Sequence, residues 1–166
     1  MLLNLQPNYP LSSVTSIFHQ IGFVGSETNR FPSQRYFFNR LRVLIVDNYP
    51  DICELFALVL EEIGAEVTTA NTCAKALTYI KENPPDLIIS EIFLPNENGL
   101  TLIRQARELA DKVDHPILAI AVTSYTEPQE QLEICSAGFQ RCLSKPVDVY
   151  DLVETVVALV EQQKSN

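Results

Sequence analysis

The chain contains no tryptophan and one methionine, and its 166 residues include only five glycines, four cysteines and two histidines. No apolar run reaches the ~18 residues a membrane-spanning helix needs, so no membrane role is expected. The opening MLLNLQPNYP lacks a basic n-region, which argues against a secretory signal peptide. Basic residues are also scarce: 12 Lys and Arg against 21 Asp and Glu leave a net charge of −9. Nucleic-acid binding draws on clustered cations that release counterions, so no nucleic-acid partner is expected. Cys53, Cys73, Cys135 and Cys142 fall at irregular spacings without a CxxC, and two histidines are too few to build a metal site around them. They read as reduced thiols of a cytoplasmic protein, small core residues in the first instance, with Cys135 and Cys142 as an alternative redox pair.

What the chain does contain, from Leu41 onward, is alternation between short β-branched runs and helical periodicity. LRVLIV (41–46) reads as a buried strand. Ile52, Leu55, Phe56, Val59, Leu60 and Ile63 then recur at helical spacing and stop at Gly64. AEVTTA (65–70), DLIIS (86–90), PILAIAV (116–122) and QRCLS (140–144) read as further strands. Helices are expected over 72–82, 99–110, from Pro128 to Gly138, and over 148–163. Five strands alternating with five helices predict an α/β protein, a flavodoxin-like (βα)5 doubly wound parallel sheet in the order 2-1-3-4-5. Its crevice lies at the carboxyl ends of the strands beside the switch point. Asp47 and Asn48, Glu91, Thr123 and Lys145 are the residues placed there.

The stretches VLIVDN, DLIISEIFLPNENG, IAVTSY and LSKP resemble the four signatures of the receiver domain of two-component response regulators, over roughly 41–163. In that family an acidic pair after the first strand holds Mg²⁺, an aspartate after the third accepts a phosphoryl group, and a Thr or Ser and a Lys-Pro complete the pocket. The resemblance implies that Asp47 and Asn48 occupy the acidic-pair positions, Glu91 the acceptor position, Thr123 the hydroxyl position and Lys145 the lysine position. It also implies a cis bond between Lys145 and Pro146.

Two residues depart from the pattern. Asn48 replaces a carboxylate, leaving Asp47 and Glu91 as the anionic metal ligands, so Mg²⁺ is expected to bind weakly or not at all and no cofactor is required. Glu91 is longer than aspartate by one methylene, about 1.5 Å. In-line phosphoryl transfer loses ~10²-fold in rate for ~1 Å of misplacement, so the transfer is expected to be lost. The longer carboxylate reaches instead for Lys145 or Thr123. Two readings stay open: Glu91 stands in for a phosphorylated acceptor, or it pairs with Lys145 in an idle site. A third departure is Cys142, where the family often has an aromatic switch residue; Tyr125 is the candidate substitute.

Residues 1–40 form an N-terminal extension with a net charge of +2, from Arg30, Arg35 and Arg40 against Glu27, and hold half of the aromatics. Val14, Ile17, Phe18 and Ile21 mark a short amphipathic helix near 13–22. Docking onto the acidic domain of 41–166 is expected, with a homodimer or another partner next. On the last helix Leu152, Val156 and Leu159 suffice for the core, and a second row through Val153 and Val157 is, if exposed, a candidate interaction surface together with Tyr125 and Cys142. The expected function is a stand-alone atypical receiver, not an enzyme, which works through contacts with a histidine kinase, a phosphotransfer protein or another signalling protein. The rival readings are a working Mg²⁺-dependent receiver phosphorylated at Glu91, and an assembly subunit that uses the extension.

Overall fold

The structure, a computed structural model, describes residues 40–124 and 127–164. Most of the extension, with its expected helix, and Tyr125 lie outside the described residues. The elements run β1 (Arg42–Val46), α1 (Pro50–Glu62), β2 (Glu66–Ala70), α2 (Cys73–Glu82), β3 (Leu87–Glu91), β4 (Phe93–Leu94), β5 (Glu97–Asn98), α3 (Gly99–Lys112), β6 (Leu118–Thr123), α4 (Pro128–Ala137), β7 (Arg141–Ser144) and α5 (Val149–Lys164). Five strands form a parallel sheet in the order β2-β1-β3-β6-β7, the doubly wound order expected from the sequence, and β4 and β5 form a separate antiparallel hairpin.

Alternation along each strand sends its side chains to opposite faces. Val43, Ile45, Leu87, Ile89, Leu118, Ile120 and Val122 pack with α1 and α5. Leu44, Val46, Ile88, Ala119 and Ala121 pack with α2, α3 and α4. The central strands are therefore apolar on both sides, which is why they read as continuous hydrophobic runs.

Helix ends follow local chemistry. The hydroxyl of Thr72 accepts the Lys75 N–H at 3.2 Å, so Thr72 caps α2 and the helix begins one residue later than expected. Asn98 Oδ1 accepts the Leu100 N–H at 2.8 Å and caps α3. Asp148 likewise stands before α5, accepting the Tyr150 N–H at 2.7 Å. Gly64 (φ 97°) and Gly138 (φ 118°) adopt left-handed backbone where α1 and α4 end.

Two expectations change. Val153 is 5 % exposed, and Val157 packs half-buried on the same core. Because α5 lies against α1 as well as the sheet, both of its apolar rows are covered, and the Val153/Val157 row is core rather than interaction surface. Cys53 and Cys73 are buried, as expected of small core residues, but Cys142 is only partly covered and Cys135 is exposed.

Candidate functional site

Because the sheet is parallel, the ends of β1, β3, β6 and β7 open on one edge, and the predicted residues meet there. Asp47 follows β1, Glu91 ends β3 and Thr123 ends β6, and all three are buried. Lys145 follows β7 and is held to β6 by its backbone N–H, which donates to the Thr123 carbonyl at 2.9 Å. The Lys145–Pro146 bond is cis, as expected.

Lys145 Nζ lies between the two acids, 2.5 Å from Glu91 Oε2 and 3.0 Å from Asp47 Oδ2. The remaining carboxylate oxygens are also engaged. Asp47 Oδ1 accepts the Tyr49 N–H at 2.9 Å, and Glu91 Oε1 accepts the N–H groups of Ile92 at 2.6 Å and Phe93 at 3.0 Å. The extra methylene thus lets Glu91 fold back over its own backbone while its second oxygen reaches the lysine. Burial pushes the Lys145 ammonium down, but hydrogen bonds to Glu91 and Asp47 and the charges of both acids outweigh it. Its pKa ends above the ordinary 10.5.

The segment after β3 is built to hold this shape. A β-carbon at Gly99 would collide with the Glu91 carbonyl oxygen and come 2.9 Å from Ile92 Cα, so only glycine lets α3 begin so close to β3. The Gly99 N–H donates to the Ile92 carbonyl at 2.8 Å. Between them β4 and β5 close a hairpin at Asn96, whose φ of 59° is one asparagine tolerates. Glu97 Oε2 then accepts the Cys73 N–H at 2.7 Å, which pins the hairpin to α2.

Of the predicted residues, Asp47, Glu91 and Lys145 form one ion-paired cluster, and Thr123 is buried at the end of the neighbouring strand β6. Asn48 is half-buried beside them. Cys142 lies one layer back on β7, where it feels the charge of Glu91. Sequence reasoning missed three features. Lys145 pairs with Asp47 as well as Glu91; the β4–β5 hairpin orients the Glu91 backbone; and Tyr49, 60 % exposed, places its ring under the lysine with Nζ 5.7 Å from the centroid. An aromatic two residues beyond Asp47 was the available signal for the last.

Strand order, cis peptide and ion-paired cluster together describe a receiver. The profile of the response regulator receiver domain matches residues 43–157, and the chain belongs to that family, the receivers of two-component signalling. The uncharacterised 14.6 kDa protein in the sodA1 3′ region of Leptolyngbya boryana is 34% identical over 117 residues, covering 70% of this chain and 88% of the relative. Sensor histidine kinase RcsC of Salmonella typhi is 29% identical over 122 residues, 74% of this chain but only 12% of the kinase. Among solved structures, a two-component response regulator from Clostridium difficile superposes with a TM-score of 0.69 at 28% identity, covering 75% of this chain and 98% of that one. No described helix is long and apolar enough to cross a membrane.

Proposed function

We propose that this chain is a receiver that signals without phosphoryl turnover, through protein contacts made by a pocket fixed in one arrangement. The observation that carries the reading is the lysine bridge: Nζ sits 2.5 Å from Glu91 Oε2 and 3.0 Å from Asp47 Oδ2. Phosphoryl transfer needs an acceptor oxygen placed for in-line attack, with a metal and a lysine to neutralise the incoming phosphoryl group. Here the acceptor position carries a glutamate whose two oxygens are both taken up.

In this reading Mg²⁺ is held weakly or not at all. The ion needs near-octahedral oxygen ligands at about 2.0–2.1 Å. Two carboxylates are available, each already bonded to Lys145, and Asn48 contributes no charge. Among the described residues no group of three or more His, Cys, Asp or Glu is placed to hold a metal. In this reading the protein is not an enzyme. Tyr49 at 60 % and Phe93 at 46 % exposure flank the pocket and offer a partner apolar area beside the ion pairs.

Intact mass after incubation with Mg²⁺ and acetyl phosphate tests the proposal. The expected result is an unchanged mass. The double variant Asn48→Asp/Glu91→Asp, which puts back both carboxylates of the family pattern, is the positive control. A stoichiometric phosphoryl adduct on the wild-type chain, lost in Glu91→Gln, would overturn the proposal.

A further inference from the structure

The two outer strands of the sheet, β7 and β2, end it in different ways. β7 is four residues long, opens on Arg141 and runs into Lys145 and the cis Pro146. Cationic side chains and proline are what proteins place on a sheet edge to stop another strand from adding there. β2 carries neither. Its five residues, Glu66 to Ala70 (EVTTA), pair with β1 one for one without a bulge. Three of them, Val67, Thr68 and Thr69, are β-branched and suit a pleated strand.

The backbone of β2 faces two ways. The Glu66 N–H donates to the Leu41 carbonyl at 2.8 Å, and the Ala70 carbonyl accepts the Asp47 N–H at 3.2 Å. Because backbone groups alternate in direction along a strand, Glu66, Thr68 and Ala70 turn theirs toward β1, and Val67 and Thr69 turn theirs away from the sheet. Among the described residues nothing pairs with these outward groups. Val67 is half-buried and Thr69 exposed.

We propose that β2 is a dimerisation edge, which pairs antiparallel with β2 of a second copy about a two-fold axis at Thr68. A two-fold contact brings the same patch to itself, so the strand must be self-complementary. Centred on Thr68, Val67 of each copy lies opposite Thr69 of the other. These are the residues with outward groups, so each such pair exchanges two N–H···O bonds. A slip of one residue would set outward groups against inward ones and lose the bonds. Glu66 comes opposite Ala70 rather than another carboxylate, and two threonines meet on the axis, a favourable cross-strand pair. A second copy is the partner this edge fits, since the register that satisfies Val67 and Thr69 also keeps its one charged residue, Glu66, away from its twin. The strands of the two copies run in opposite directions, so the two pockets open on opposite edges of the joined sheet.

Sedimentation of the full chain across a dilution series tests the proposal, in about 0.5 M sodium chloride to screen the repulsion between two copies of net charge −9. The expected result is a shift from one chain toward two as concentration rises. Thr69→Pro removes an N–H that the β1–β2 ladder does not use, so it should keep the wild-type melting curve and remain a monomer. Crosslinking reads the register without relying on proline. Residues opposite each other in a non-hydrogen-bonded pair have Cα atoms about 4.5 Å apart, within disulfide range. Cys135 is exposed and is first replaced by serine. In that Cys135→Ser background Thr68→Cys should link two chains under mild oxidation, while Glu66→Cys, about 14 Å from its counterpart in this register, should not. A wild-type chain that stays monomeric throughout the series, which leaves the edge to its own residues 1–39 or to a different protein, would overturn the proposal. So would a dimer that survives Thr69→Pro, or Glu66→Cys linking as readily as Thr68→Cys.

Discussion

At the carboxyl ends of the strands two buried carboxylates, Asp47 and Glu91, share one lysine; at the amino ends one half-exposed carboxylate, Asp86, serves two bases. Asp86 Oδ1 lies 3.3 Å from both Arg42 Nη2 and His115 Nε2, and its Oδ2 accepts the Arg42 N–H at 2.8 Å. His115 Nε2 also lies 3.1 Å from the Pro85 carbonyl. The lower cluster fastens the start of β1 to that of β3, since the Asp86 N–H in turn donates to the Arg42 carbonyl at 2.8 Å. Both clusters tie distant segments through charge, yet burial gives them different consequences. Water and salt screen the lower cluster and can replace any lost partner. In the upper one, removing a partner leaves an acid where water enters with difficulty.

The largest effect expected from that contrast is at Lys145. Its side chain is only 21 % exposed and compensates two acids at once. Lys145→Ala is expected to lower the unfolding free energy by about 1–3 kcal/mol, measured by urea denaturation. Arg42→Ala, with a side chain 36 % exposed, should cost under about 1 kcal/mol. Adding Glu91→Gln to Lys145→Ala should recover part of the loss, and the double-mutant cycle should give a coupling above about 0.5 kcal/mol. A cycle on Arg42 and Asp86 should give less. Equal couplings at the two ends would remove burial as the distinguishing cause.

A smaller effect should appear in alkaline solution. The folded pKa of Lys145 lies above 10.5, held there by Glu91 and Asp47 against the opposing effect of burial. The folded protein therefore binds the proton more tightly than the unfolded chain. The stabilisation is complete below about 10.5, the unfolded value, and is lost as pH rises through the higher folded value. Cys73 works in the same direction at lower pH. Burial, then the charge of Glu97 and its hydrogen bond, push the thiol from 9.0 to about 11, so its contribution fades between those values. Wild-type melting temperature should fall as pH climbs from 9 upward. Cys73→Ala should flatten the first part of the fall and Lys145→Ala the last, while Arg42→Ala keeps the wild-type slope.

Much of the frame behind these contrasts is legible in the sequence. Val43 to Val46 and Leu118 to Val122 are apolar throughout because both faces of the strands are covered, and Gly64 and Gly138 mark helix ends because their backbone needs it. Asp47, Glu91 and Lys145 could be placed together once the strand order was inferred. What stayed hidden depends on what lies opposite a side chain. Periodicity puts Val153 and Val157 on one stripe of α5 but does not say that α1 covers it. The bond from Lys145 to Asp47 spans 98 residues and depends on the angle at which the lysine leaves β7. Cys135 reads as a small core residue until α4 is rotated into place, when it turns outward. The β4–β5 hairpin is only two residues a side, too short for alternation to register.

The smallest and most discriminating effect should come from salt. At 0.15 M ionic strength the Debye length is about 8 Å, and at 1 M about 3 Å, so added sodium chloride weakens charges in contact with solvent far more than those enclosed by protein. Asp86 and its two bases are each about a quarter to a third exposed, whereas the side chains of Asp47 and Glu91 are 4 % and 7 % exposed. Raising sodium chloride from 0.05 to 1 M should therefore shrink the Arg42–Asp86 coupling by a few tenths of a kcal/mol, toward zero. The Glu91–Lys145 coupling, measured in the same buffers, should keep most of its value. General salt effects on hydrophobic burial act alike on all four variants of each cycle and cancel. A Glu91–Lys145 coupling that falls in step with the lower pair would mean that water and ions reach the upper cluster freely. The lysine would then be exchangeable rather than fixed, and the pocket would again be open to a phosphoryl donor.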